Sequence, residues 1–128
     1  MRLYSGSSRQ FVDDTTRNQI ADKLKSAFFD YYRFNPSPNE INSWRNSLRA
    51  MALVIDDADL LDHGVLLEYQ LPLTSKRLDC MLCGRDRQEK ENAVIVELKQ
   101  WERCEAAVGE NEVLTWVGGL NEKSYIPP

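Results

Sequence analysis

The sequence predicts an α+β layered domain in which two N-terminal helices precede a mixed β-sheet. Two observations carry this prediction: apolar residues recur with a helical period before Gly64, and with a period of two residues after it. The hydrophobic content of 42% and charged content of 28% are ordinary for a globular protein. At 128 residues the chain can bury one core, so we expect a single domain over 1–128.

The first helix is predicted to begin near Thr15 or Thr16, either of which can cap it, and to end at Asn35-Pro36. Apolar residues recur between these points at helical spacing, namely Ile20, Leu24, Ala27, Phe28 and Tyr31. These residues predict one buried helix face.

The second helix has a clearer beginning. Ser37 and Glu40 form a capping box, and Pro38 occupies the first helical position. An apolar stripe follows, which we assign to the core: Ile41, Trp44, Leu48, Met51 or Ala52, and Ile55.

The second half of the chain predicts strands. Alternation or short apolar runs indicate strands at Val65–Leu71, Arg77–Cys83, Ala93–Trp101 and, more briefly, Val113–Val117. In the first of these strands, Leu66, Glu68 and Gln70 should share the face opposite the core residues. Residues 84–92 are nearly all polar and predict a hairpin connection, and Gly118-Gly119 should end the fourth strand. The run Val94-Ile95-Val96 suggests that the third strand is central and well buried.

The third strand carries two charges among apolar residues. Glu97 and Lys99 are two positions apart, so a strand would place both side chains on one face. Asp79 lies on the preceding strand, where antiparallel pairing can bring it beside Glu97. Two carboxylates of this kind, completed by water and phosphate oxygens, suit Mg²⁺ or Mn²⁺. A bound divalent ion can polarise a phosphodiester, and a nearby lysine can stabilise the charge that develops.

The chain resembles the PD-(D/E)xK nuclease superfamily in Arg77-Leu78-Asp79 followed by Glu97-Leu98-Lys99. With the flanking segments Leu67–Pro72 and Ser43–Leu48, it is most similar to the nuclease-like N-terminal domain of bacterial Schlafen group 3-like helicases. The resemblance covers about residues 3 to 119. It implies a restriction-endonuclease-like αβββαβ core whose last helix and strand are not evident here. We therefore expect the chain to be the N-terminal part of a longer protein.

The resemblance also implies a role for each matched position. Asp79 and Glu97 would be catalytic metal ligands, and Lys99 the catalytic lysine. The main-chain carbonyl of Leu98 would be a further ligand and Glu68 an accessory one. Apart from the resemblance, Lys76 and Arg77 lie beside the proposed site and could contact the phosphates of a nucleic acid, or they could be ordinary turn charges.

The expected function is metal-dependent hydrolysis of DNA or RNA. Two other interpretations of the chain remain open: a catalytically inactive module of the same fold that binds nucleic acid or protein, and an unrelated α+β domain. Glu97 and Lys99 could also be a surface ion pair. A fused or associated helicase or ATPase is an expected partner, and a homodimer stays an option. The net charge of −4 does not itself favour nucleic-acid binding.

The cysteines argue for a reducing compartment. Their number is odd and no secretory signal precedes them, so we expect a cytoplasmic protein with free thiols and no membrane segment. Cys80 and Cys83, with Cys104 and His63, could suggest zinc. Residues three apart on a strand point to opposite faces, however, so we interpret Cys80 and Cys83 as small buried residues.

Overall fold

A computed structural model of the chain describes residues 1–100, 104–110, 112–117 and 122–126. The chain divides into two compact units, Met1–Leu98 and Lys99–Pro128, and each is described by itself. The expectation of one domain over 1–128 stays a prediction.

The first unit contains one strand, three helices and three further strands. In chain order they are β1 (Tyr4–Ser7), α1 (Ser8–Thr16), α2 (Ile20–Tyr32), α3 (Pro38–Asp57), β2 (Gly64–Gln70), β3 (Arg77–Arg85) and β4 (Glu91–Val96). The α+β class is thereby confirmed. None of the described helices is both long and apolar enough to cross a bilayer.

Helix α3 forms as its sequence predicts. The Ser37 side chain accepts a hydrogen bond from the Glu40 backbone N–H at 3.1 Å, and Pro38 occupies the first turn. The predicted stripe is buried at Trp44, Leu48, Met51, Ala52 and Ile55. The cap and the stripe are both local features, which explains why the sequence alone located this helix.

The predicted first helix is wrong in its beginning, because two helices occupy this region. Helix α1 begins at Ser8, where the Ser7 side chain accepts from the Gln10 N–H at 3.1 Å. Thr15 is not a cap; its hydroxyl donates to the Phe11 carbonyl at 2.7 Å inside the helix. Asn18, in the left-handed region at a φ of 59°, separates α1 from α2.

The four-stranded sheet is antiparallel throughout, in the order β1-β2-β3-β4, so the predicted mixed sheet is wrong for the described residues. Strands β2, β3 and β4, which were predicted, pair in succession as a meander. Strand β1 was not predicted, because its four residues become a strand only by pairing with β2.

Strand β4 differs from the prediction in length and position. It ends at Val96 rather than at residue 101, so Glu97 and Lys99 lie beyond it. It is also the edge of this sheet, not its centre, and the side chains of Val94 and Ile95 are more than half exposed. An apolar run alone could not distinguish an edge strand from a central one.

The core lies between the helices and one face of the sheet. Fully buried side chains come from every layer, including Phe11, Leu24, Ile55, Leu67 and Cys80. The cysteine interpretation holds for Cys80, which is buried, while Cys83 is only half-buried. Both are free thiols.

The second unit contains an antiparallel three-stranded sheet in the order β5-β6-β7. Its strands are β5 (Cys104–Ala106), β6 (Val113–Val117) and β7 (Glu122–Ile126). Strand β6 has the predicted bounds, whereas no strand was predicted at the position of β7. Gly118-Gly119 lies outside the described residues.

Replacing Leu67 with alanine should lower the free energy of unfolding by about 2–5 kcal/mol, because it leaves a cavity where β2 meets the helices. Urea denaturation followed by helical circular dichroism measures the change, since every described helix lies in the first unit. Leu53→Ala, at an exposed position on α3, is the matched control and should change stability by about 0.5 kcal/mol or less. Equal losses in both variants would contradict this account of the core.

Candidate functional site

A cavity of about 430 Å³ opens in the first unit where α2 and α3 meet β2 and β3. Its lining combines apolar, hydroxyl and charged side chains. The lining residues are Leu24, Glu40, Ser43, Trp44, Ser47, Leu48, Leu67, Glu68, Ser75, Arg77, Asp79 and Leu98. The cavity therefore brings together the predicted site residues Glu68, Arg77, Asp79 and Leu98.

Glu68 enters this cavity because the backbone of β2 breaks its alternation there. Its φ is 52°, in the left-handed region, which costs a residue with a side chain about 1–2 kcal/mol. Leu67 is buried in the core, and in a regular strand Glu68 would point to the opposite face. Instead both side chains turn towards α3. The prediction that Glu68 shares a face with Leu66 and Gln70 is accordingly wrong.

Two groups hold the Glu68 carboxylate. The indole N–H of Trp44 donates to Oε1 at 3.1 Å, and Nη1 of Arg77 lies 3.3 Å from Oε2. Only 12% of the Glu68 side chain is exposed. Burial raises the pKa of this carboxyl, and the charge of Arg77 and the Trp44 hydrogen bond oppose the rise without cancelling it.

Arg77 joins the sheet to both helices that line the cavity. Its Nη2 donates to Glu40 Oε1 on α3 at 2.9 Å, while Nη1 faces Glu68. Its guanidinium carbon lies 5.9 Å from the ring centre of Phe28 on α2, within the range of a cation–π interaction. Arg77 thus holds the cavity wall together, and its predicted contact with nucleic acid stays a prediction. Lys76 is exposed in the preceding turn.

Asp79 links the cavity to the segment that follows β4. Its Oδ2 accepts a hydrogen bond from the Leu98 backbone N–H at 2.8 Å. The last paired residues of β3 and β4 are Cys80 and Val96, so the same register would place Glu97 opposite Asp79. With its N–H held by a side chain, Leu98 does not continue the strand ladder, which explains why β4 ends at Val96.

Glu97 and Lys99 flank this contact. Glu97 is exposed, and the cavity lining given by the described residues does not include it. Lys99 is also exposed and is the first residue of the second unit. The structure thus brings together Glu68, Asp79 and Leu98, whereas convergence of Glu97 and Lys99 on the same point stays a prediction.

Sequence reasoning missed two residues of the cavity. Glu40 was assigned only to a helix cap and Trp44 only to the core, yet both bond to charged groups of the sheet. They are four positions apart on α3 and therefore share a face. That spacing could have predicted that Glu40 and Trp44 act together at one surface of α3. It could not have predicted which residues of the sheet they contact.

The carboxylates of Glu68 and Asp79 are oxygen donors of the kind Mg²⁺ and Mn²⁺ accept. Mg²⁺ is usually bound by one or two carboxylates and keeps several waters, so these two residues are of the type that such an ion accepts. In the described part of the chain, no group of three or more His, Cys, Asp or Glu side chains is arranged to hold a metal. Burial raises the pKa of the Cys80 thiol to about 12, which keeps it protonated and a poor ligand.

Comparison with known proteins finds no matching family model, no significant match among curated proteins and none among solved structures.

Replacing Glu68 with glutamine should remove a pH dependence from the free energy of unfolding. Burial raises the pKa of Glu68, so the folded chain holds this proton more tightly than the unfolded chain does. Its contribution is then most favourable below the unfolded pKa, about 4.3, and is lost as pH rises through the folded pKa.

Urea denaturation at a series of pH values measures this effect. The free energy of unfolding of wild type, minus that of Glu68→Gln, should fall as pH rises from about 4 towards neutrality. A difference that rises over this range would show that attraction to Arg77 outweighs burial.

Proposed function

We propose that the chain is a metal-dependent nuclease domain of the PD-(D/E)xK type, which hydrolyses phosphodiester bonds of DNA or RNA. The observation that carries the proposal is the 2.8 Å hydrogen bond from the Leu98 N–H to Asp79 Oδ2. It joins Asp79 to Leu98, which are nineteen positions apart in the chain. Asp79 thereby adjoins the segment that contains Glu97 and Lys99.

Asp79 and Glu97 are the proposed ligands of a Mg²⁺ or Mn²⁺ ion, with the Leu98 carbonyl as a further oxygen donor and Glu68 as an accessory carboxylate. When bound, such an ion supplies Lewis-acid polarisation of the phosphodiester and activation of water. The chain's own part is orientation. The Leu98 N–H fixes one oxygen of Asp79, while Trp44 and Arg77 fix Glu68.

Lys99 is the proposed catalytic cation. A protonated amine has no lone pair for a metal, so its role is to place the attacking water and to offset negative charge at phosphorus. Lys76 and Arg77 are proposed to lie along the path of the phosphate backbone.

Metal binding should depend on Asp79 and Glu97. Calorimetric titration with Mn²⁺ should show binding to wild type and its loss in Asp79→Asn and in Glu97→Gln, which remove charge while keeping shape. Glu91→Gln is the matched control, because this carboxylate of β4 is 87% exposed and lies at the other end of the strand. Unchanged Mn²⁺ binding in the Asp79 and Glu97 double variant would rule out these ligands.

Cleavage should depend on Lys99 while metal binding does not. Lys99→Ala should lower the rate about 10²- to 10³-fold, and its Mn²⁺ titration should match wild type. Lys99→Arg should restore little of the cleavage rate, because a planar guanidinium does not replace a compact ammonium. Lys90→Ala, in the exposed β3–β4 turn, is the control. Equal cleavage of DNA and RNA by wild type and Lys99→Ala would show that Lys99 is not catalytic.

A second candidate is a non-catalytic module of the same fold that binds nucleic acid or protein. The arrangement of Glu68 favours it, because one carboxylate oxygen is engaged by Trp44 and the other by Arg77. Protein groups alone satisfy a carboxylate held in this way, so it can stabilise the fold without a metal. The titration above separates the two candidates, since a module of this kind needs no response to Mn²⁺.

A further inference from the structure

Aromatic rings at the C-terminal end of α2 form a continuous cluster. Phe28 contacts Tyr32 with ring centres 4.5 Å apart and Phe34 at 5.4 Å, and Tyr31 contacts Tyr32 at 4.9 Å. Phe28 also contacts Trp44 on α3 at 6.2 Å. Both Phe28 and Trp44 are buried. The outer rings of the cluster therefore rest on a rigid inner pair.

Two of the three outer rings are exposed, and the third, Tyr32, is half-buried against the core. Tyr31 is 54% exposed and Phe34 is 58% exposed. Single exposed apolar residues are common, but rings that contact one another in an exposed group are a binding feature. We call Tyr31, Tyr32 and Phe34 the aromatic platform.

The aromatic platform is continuous with the cavity that contains Glu68 and Asp79. Tyr31 lines a neighbouring depression together with the turn after β2, and Ser75 of that turn lines both the depression and the cavity. On the inner side, Trp44 contacts Phe28 and hydrogen-bonds to Glu68. A flexible ligand lying on Tyr31 would therefore occupy the depression next to the cavity that contains the carboxylates.

Two exposed basic residues that can pair with an anionic ligand lie next in the chain to the platform and to the turn after β2. Arg33 lies between Tyr32 and Phe34 in the chain and is exposed, as is Lys76 beside Ser75. Glu40, the carboxylate of α3 at the cavity, is paired with Arg77 at 2.9 Å. Asp30 lines a different depression, together with Lys25 and Phe29.

We propose that the aromatic platform binds single-stranded DNA or RNA by stacking its bases on Tyr31, Tyr32 and Phe34. Aromatic side chains accept any base face, whereas a duplex keeps its bases stacked on one another. Arg33 and Lys76 contact the phosphates. The inference rests on the proposed function for the chemistry at Asp79, and it adds that the substrate enters as a single strand.

Fluorescence anisotropy with labelled oligothymidylate or oligouridylate of about 12 nucleotides, in EDTA and at fixed salt, tests binding without cleavage. Wild type should bind the single strands more tightly than a duplex of the same length. Tyr31→Ala and Phe34→Ala should each weaken binding about 5- to 100-fold. The two oligonucleotides distinguish DNA from RNA.

Two matched variants separate stacking from general apolar contact. Phe29→Ala removes a ring that is 43% exposed on the same helix but outside the cluster, and it should bind like wild type. Phe34→Tyr should keep binding, whereas Phe34→Leu should lose it as Phe34→Ala does. Absence of single-strand binding by wild type, or equal binding by Phe34→Leu and wild type, would overturn the proposal.

The test is independent of the proposed catalysis. Asp79→Asn should lose Mn²⁺ binding yet hold the single strand as wild type does. If Asp79→Asn loses cleavage while the platform variants bind single strands as wild type does, the nuclease proposal is supported and the platform proposal is wrong. If the platform variants lose single-strand binding while wild type shows no metal-dependent cleavage, the platform proposal is supported and the nuclease proposal is wrong.

Discussion

The left-handed backbone of Glu68 is the constraint on which the cavity depends. At a φ of 52° this residue turns its carboxylate towards α3, where a regular strand would direct it away from the helices. The conformation is unfavourable for a residue with a side chain, and the bond from Trp44 together with the pairing to Arg77 offsets it. Strain held in this way by surrounding contacts is common at functional sites. Without it, the cavity wall opposite α3 would keep Asp79 but lack the Glu68 carboxylate.

Arg77 connects Glu68 to other elements of the first unit. It binds carboxylates from β2 and α3 and lies over the Phe28 ring on α2, so three elements converge on one guanidinium. A planar group with several fixed donors can do this, whereas a lysine at the same position could not match two carboxylates and a ring at once. The aromatic cluster and the carboxylate cavity are thus supported by the same side chain.

Local sequence features were predicted well, and features that depend on distant pairing were not. The cap and stripe of α3, and the strands β2, β3 and β6, follow from patterns within each segment. Strand β1 requires its partner β2 to exist, so its own four residues do not reveal it. The edge position of β4 and the end of that strand at Val96 likewise depend on neighbours, above all on the Asp79 side chain.

For the candidate site, the sequence by itself determined which chemical groups are present: Glu68, Asp79, and the segment Glu97-Leu98-Lys99 on or just after consecutive strands. It also predicted antiparallel pairing of the two strands, which can bring Asp79 beside that segment, whereas the register itself, with Cys80 opposite Val96, comes from the structure. Only the tertiary structure decided that Glu68 faces the helices and that Trp44 and Arg77 hold it. The physical reason is that alternation along a strand is a local rule, and one residue with positive φ, stabilised by contacts from another layer, reverses it.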